Sequence, residues 1–284
     1  MPMHQFHHWT KETERYAETS QRKFGIEPAG TPLQQNTQKV IHREYDKLSE
    51  LDGAVSFGRS VAAFAPDIGV AETHRLIVDF RRVLLLGNTN EVSAVADATR
   101  SAGADVSGHM PIIGAVANTF FLPALATLSR FNLSTGGHLS VLAEDASNSS
   151  VREVQDLQIA VGLTPLPGAF LRSSHGRMAT VCYHDFEGRL LASASLADLE
   201  GAGPEFADTA ILLGVSVHPD ARGNGFGSAI TAAGLVQARR LLAAHRVIAV
   251  VSPTNTAALH TNAKFGMYPL ADQSAIYLEL CDAD

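Results

Sequence analysis

The chain has 284 residues, 45% of them apolar and 18% charged, with 22 basic against 29 acidic side chains and a net charge of −7. That length leaves room for two domains with a sizeable core, and an acidic balance without any basic run argues against nucleic acid as the partner. Two cysteines, Cys182 and Cys281, are too few for a disulfide framework and point to a reducing compartment; with no signal-peptide core and no apolar run of about eighteen residues, the expected location is cytoplasmic and no membrane partner is expected.

Residues 1–36 are polar and irregular. His4, His7 and His8 crowd together there, but no carboxylate or cysteine stands at ligand spacing, so the reading is a solvated terminus and no metal is expected. Thr10–Phe24 and Thr37–Leu51 have helical composition, separated by a break over Pro28–Pro32. From Arg75 the character changes. Leu76–Asp79 and Arg82–Gly87 read as strands, Asn88–Ala102 as a helix stopped by Gly103, and Gly114–Leu128 as a second, apolar helix. The turn Leu86–Asn90 has one glycine before a helix, which suits a turn with an Asn or Thr cap better than a phosphate loop.

Gly136-Gly137 is the expected boundary between a smaller N-terminal α/β domain, residues 1–136, and a second domain, residues 137–284. In the second, His138–Glu144 reads as a strand and Ser150–Val161 as a helix capped by Ser149 or Ser150. Pro165–Gly168 breaks the chain, and Met178–His184 and Leu190–Leu196 read as strands joined by a turn over Phe186–Arg189. Residues 200–208 read as a loop. An apolar run, Ile211–Val217, then reads as a buried strand, ended by His218-Pro219-Asp220. Arg222-Gly223-Asn224-Gly225-Phe226-Gly227 leads directly into a helix expected from Ser228 to His245. Glycines at such a junction let main-chain N–H groups approach a ligand, and the first N–H groups of the helix form an anion site. A further strand, Arg246–Val251, is followed by Ser252-Pro253-Thr254-Asn255, a helix over Thr256–Phe265 and a stop at Gly266.

The spacing is neither Gly-x-Gly-x-x-Gly nor that of a P-loop. Arg222-x-x-Gly225-x-Gly227 after Val-x-Val-x-Pro resembles the pyrophosphate loop of the GNAT superfamily of acyl-CoA-dependent N-acyltransferases. Asn255, Ala258, Leu259, Lys264 and Gly266 are in register with that family's next segment. The resemblance implies an α/β fold with a GNAT-like mixed, splayed sheet flanked by helices, preceded by the smaller α/β domain. It implies acetyl-CoA as cosubstrate, its pyrophosphate on Arg222, Gly223, Asn224, Gly225, Phe226, Gly227 and Ser228. The pantetheine arm would lie along the main chain of Val215, Ser216 and Val217, with Asn255 bonding it as well as capping a helix. The implied activity is direct transfer of an acetyl group to an amine of a small molecule or peptide. The alternative is an acyl-CoA-binding sensor or scaffold.

The alternative draws on two departures. The family's acid, a tyrosine four residues before the helix-ending glycine, is Asn262 here, and positions 210–217 hold no carboxylate. The substitute catalytic candidates are Ser252 and His260, with Asn262 as a hydrogen-bond donor; Tyr268, His218, Asp208 and Glu205 are nearby in sequence. Cys182 and His184, two apart in a strand, share a face and form another possible nucleophile–base pair, against the plainer reading of core packing.

Two further readings concern the N-terminal half. Arg82-Val83, an Asn-started helix and Gly103 echo Arg246-Val247, Asn255 and Gly266, as a degenerate GNAT-like copy would. The spacings disagree, thirteen positions from Asn90 to Gly103 against eleven from Asn255 to Gly266. The helix after Gly227 is apolar nearly all round, through Ile230, Leu235, Val236 and Leu242, so a second layer must cover it. The expected cover is Gly114–Leu128, with a second subunit in a homodimer as the alternative.

Overall fold

The computed structural model describes residues 54–57, 60–64, 82–101, 103–106, 108, 110–163, 166, 171–172, 178–199 and 208–280. The helices expected within 10–51, the strand at 76–79, the three early histidines, Glu205 and Cys281 lie outside these residues. Contacts divide the chain into two compact units, of which the second comprises Pro111–Glu200 and Asp208–Leu270 and the first the remainder.

In the first unit, β1 (Ala54–Phe57) and β2 (Ser60–Phe64) form an antiparallel pair. β2 pairs in parallel with β3 (Arg82–Asn88), which leads into α1 (Thr89–Ser101) and β4 (Ala104–Val106). The C-terminal part of the last strand, Tyr268–Leu280, runs antiparallel to both β3 and β4. The Asn88 side chain accepts from Asn90 N–H at 3.0 Å, so the turn expected to be a capped strand-to-helix junction is one.

The second unit holds β5 (Met110–Val116), α2 (Ala117–Thr135), β6 (His138–Val141), α3 (Asn148–Ala160), β7 (Met178–His184) and β8 (Leu190–Asp198). It continues through β9 (Thr209–Val217), α4 (Phe226–Leu241), β10 (Arg246–Val250) and α5 (Thr256–Ala263) into β11, the strand Tyr268–Leu280. Its sheet runs in the order β5-β10-β9-β8-β7-β6, antiparallel except for β9 against β10. α2 and α4 pack over one face, where Ile230, Leu235 and Val236 join Phe120, Ala210 and Leu212 in the main core. α3 brings Val151, Val154 and Leu157 to a smaller core with Cys182 and Leu190.

Several boundaries differ from the sequence reading. Gly114 is not helical: it sits in β5, where a Cβ would lie 3.2 Å from the Leu270 side chain and 3.3 Å from that of Ile248. The apolar helix starts at Ala117, and it does cover α4 as expected. Gly136-Gly137 lies inside the second unit. Gly136 ends α2 at φ +64°, and a Cβ on Gly137 would collide with the Tyr183 hydroxyl and the His184 carbonyl. α3 is capped by Ser147, whose Oγ accepts from Ser150 N–H at 3.2 Å, rather than by Ser149 or Ser150. α4 ends at Leu241, not His245, as the chain turns through Ala243 at φ +52°.

Two predictions follow from this packing. A fragment of residues 137–284 lacks β5 and α2, uncovering the apolar flank of α4; it should self-associate on size exclusion, whereas one starting at residue 111 should be better behaved and melt at higher temperature. A monomeric 137–284 fragment as stable as the longer one overturns this. The second concerns His184, whose pKa burial lowers from 6.5, helped by the charge of His138. The unfolded chain then binds the proton more readily than the folded one, so stability falls as pH drops through about 6.5. His184→Gln should flatten the decline of Tm between about pH 7 and pH 5.

Candidate active site

β9 and β10 start as a parallel pair, Thr209↔Arg246 to Ile211↔Ile248, and the pairing ends there although the strands continue to Val217 and Val250. β10 keeps its other partner, β5, along its whole length, and β9 keeps β8. Beyond Ile211, β9 therefore presents one edge of main-chain groups to a gap between strands, the arrangement into which an extended amide-bearing arm adds as a strand. Along this stretch β9 also bulges. Ser193 faces Ser216 and Ser195 faces Leu213, so Ala194 opposes both Gly214 and Val215. Gly214 takes φ +57°, the Ser216 hydroxyl donates to its carbonyl at 3.0 Å, and Val215 is exposed. A bulge frees one residue of the ladder and re-aims its N–H and C=O.

At the end of β9 the His218 ring closes a short 3₁₀ turn over Pro219–Ala221, its Nδ1 accepting from Asp220 N–H at 3.3 Å. His218 thus caps the turn, with the Asp220 carboxylate 3.6 Å from the same ring nitrogen. Arg222, Gly223, Asn224 and Gly225 are exposed. Gly225 is the N-cap of α4 at φ +84°, and the first helical bond is Ala229 N–H to Gly225 C=O at 3.0 Å. The caps of α3 and α5 are side chains, Ser147 and Asn255, but a glycine leaves the N–H groups of Phe226, Gly227 and Ser228 uncovered. Positive charge is added by Lys264, at the end of α5, whose Nζ donates to Ser228 Oγ at 3.0 Å. Lys264 was legible only as a position in register; its place beside the helix N-terminus needed the fold.

Phe226 has a different task from its neighbours. Its ring meets Phe131 and Tyr183 edge-on, with centroids 5.1 Å away in each case, and so anchors the loop in the core. Asn255 caps α5 by accepting from Ala258 N–H at 3.1 Å; its amide nitrogen has no bond to the described residues.

The catalytic candidates are not assembled into one constellation. Ser252 Oγ is 2.8 Å from Thr254 Oγ1 in the turn after β10, and His260 is exposed on α5 without a polar partner among the described residues. Asn262 is 5% exposed; its amide donates to Ala258 C=O at 2.9 Å and its Oδ1 has no partner among the described residues. Asp208 shapes the entry to β9, accepting from His245 and Arg246 N–H at 2.8 and 3.1 Å, and Tyr268 is exposed. The Cys182 thiol is pushed up to about 12, chiefly by burial and then by Glu153, so no thiolate is present at neutral pH and Cys182 is core packing. Among the described residues there is no group of three metal-ligating side chains, and no helix is long and apolar enough to cross a membrane.

A splayed mixed sheet, a bulged strand at the parting and an uncapped helix N-terminus beside it are the parts of an acyltransferase domain. Residues 151–267 match the sequence model of the Acetyltransferase (GNAT) family, and this part of the chain is a GNAT domain. Solved structures with the same fold include a GCN5-related N-acetyltransferase from Kribbella flavida, 12% identical with a TM-score of 0.53, covering 87% of this chain and 96% of that one. A putative GNAT acetyltransferase from Novosphingobium aromaticivorans is 16% identical at a TM-score of 0.51, covering 83% and 94%. A tandem GNAT protein from the clavulanic acid biosynthesis pathway is 15% identical at 0.51, covering 75% and 70%. No curated protein sequence matches.

Gly227 offers a clean test of the loop. Its φ is not in the left-handed region, and a Cβ there would be 3.9 Å from Val217, an ordinary contact. The protein itself therefore tolerates a side chain, and helix propensity favours one over glycine. Gly227→Val should keep or raise Tm while weakening CoA binding about tenfold or more by calorimetric titration, about 1.4 kcal/mol. Unchanged affinity in the folded variant sinks the assignment of the loop.

Proposed function

We propose that the second unit, Pro111–Glu200 with Asp208–Leu270, carries an N-acetyltransferase that passes an acetyl group from acetyl-CoA directly to an amine of a small molecule or peptide. The observation that carries this reading is the parting of β9 from β10 beside an uncapped α4 N-terminus. The N–H groups of Phe226, Gly227 and Ser228, with Arg222 and Lys264, would hold the pyrophosphate. The main chain of Val215, Ser216 and Val217 would pair with the pantetheine amides, and the Asn255 amide would bond the arm. The acyl carbon then lies beside the bulge, whose main-chain N–H supplies a donor for the charge that develops on the thioester oxygen.

In the transfer, the uncharged amine nitrogen forms a bond to the acyl carbon, the carbon–sulfur bond breaks, the nitrogen loses a proton and the sulfur gains one. Asn262 can donate a hydrogen bond but not a proton, and among the described residues Ser252 and His260 hold no partner that would activate them. Deprotonation through solvent is the route that fits these residues, since a thioester is already activated. The same lack of an acid supports the second reading, an acyl-CoA sensor or scaffold.

Release of free thiol from acetyl-CoA against a panel of amines separates the two. An enzyme turns over with some amine, while a sensor binds CoA and releases none. If Asn262 donates no proton, Asn262→Ala should cost about tenfold or less in rate, below the roughly 100-fold typical of general acid catalysis. A larger loss in a folded variant overturns that role.

A further inference from the structure

Two glutamines one turn apart on α3 hold a single residue of the following segment. Gln155 Nε2 donates to Leu166 C=O at 2.9 Å, and Gln158 Oε1 accepts from Leu166 N–H at 2.8 Å. Only an oxygen accepts from an N–H group, so the second bond fixes the orientation of the Gln158 amide. Its Nε2 must face the other way, and there, fully buried, it has no hydrogen-bond partner among the described residues. What it faces is the bulge. A Cβ placed on Gly214 would stand 2.8 Å from Gln158 Nε2 and 3.2 Å from the Leu166 side chain.

An unpaired buried donor costs about 1–3 kcal/mol, a cost removed when a ligand supplies the missing acceptor. The geometry indicates which ligand. α4 closes the opposite face of the sheet here, with Gly234 against Leu212, Ala194 and Leu196. α3 lies on the other face, where Gln158 stands over the bulge.

We propose that Gln158 Nε2 is a recognition donor for the acyl acceptor, and that the acceptor carries a neutral carbonyl on the carbon bearing its amine, as an amino-acid amide or the N-terminal residue of a peptide does. This rests on the acyltransferase reading above. An amide N–H cannot bind an ammonium; it requires an oxygen. A neutral donor in a water-excluded position matches a neutral carbonyl, because a buried carboxylate needs a cation or several donors. The carbonyl must be close to the reacting nitrogen, since the donor abuts the bulge itself.

The test measures thiol release from acetyl-CoA by the full-length protein, comparing glycinamide with propylamine on the basis of unprotonated amine. The wild-type protein should favour glycinamide in kcat/KM by about tenfold or more, as a site built to bond an oxygen rejects an analogue without one. Gln158→Glu adds an internal check. Burial raises the pKa of the introduced carboxyl, whose neutral form still accepts from Leu166 N–H and donates toward the bulge, while its ionised form donates nothing. Relative to wild type, this variant should lose glycinamide activity as pH rises and keep a flat ratio with propylamine. Equal use of the two amines by the wild-type protein overturns the proposal alone, as does a variant ratio that is flat, or falls equally, for both. No thiol release with either amine, while another amine of the panel turns over, overturns the proposal alone; no release across the whole panel, with CoA bound, overturns the acyltransferase reading together with it. Should the variant not fold, the wild-type comparison decides.

Discussion

The constraint on which this domain turns is that β9 has a hydrogen-bonding partner on both edges only as far as Ile211. A main-chain group inside a protein needs a partner or water, so a strand that loses one neighbour halfway along is an incomplete sheet. The neighbouring geometry serves that incompleteness. The bulge at Gly214–Val215 turns main-chain groups out of the β8 ladder at the level of the gap. α4 begins as soon as the loop after β9 is closed, with its first N–H groups uncovered. The loop is held in place by the Phe226 ring between Phe131 and Tyr183, and the Tyr183 hydroxyl accepts from Gly137 N–H at 3.1 Å. Edge-to-face pairs contribute about 0.5–1.5 kcal/mol each beyond their burial, so α2 and β7 stiffen the loop before α4 although neither touches it through a charge.

Charge is organised locally against the charge of the chain. The protein carries −7 overall, yet the start of α4 gathers the positive end of a helix dipole, the Lys264 ammonium and the exposed Arg222. Such a cluster suits a polyanionic group, against an overall acidity that discourages anions elsewhere.

How much of this could be read without coordinates depended on whether the cause was local. β3, β7, β8, β9 and β10 were legible because largely apolar runs end at turn residues within the same few positions. The loop from Arg222 to Gly227 was legible because its glycines answer to the backbone next to them. Features set by distant neighbours were not. Gly114 joins a strand against Ile248 and Leu270, and Gly137 is small because Tyr183 and His184 cross over it, which in sequence imitates a linker. α4 stops at Leu241 on an alanine in the left-handed region, with no glycine to announce it. Gln158 left one faint sign. It shares a buried stripe with Val151 and Val154, where an amide is out of place unless something bonds it.

The same division explains why the cofactor half of the site is plain and the acceptor half is silent. On the proposed reading the acyl donor would be met almost wholly by main-chain groups, along Val215–Val217 and at the start of α4, so sequence would enter only as permission: glycines where the backbone must be bare, and a chain that bulges. Such permissions make a motif. On the proposed reading the acceptor would be met by the Gln158 amide, which Leu166 orients and Gln155 supports through the same residue. Any residue able to form those bonds would serve, and the spacing between α3 and the bulge exists only in three dimensions. On that reading specificity in this protein would sit on the helix that packs over the bulge, while the bulge and the loop beyond it would answer to the acyl donor that every acceptor shares.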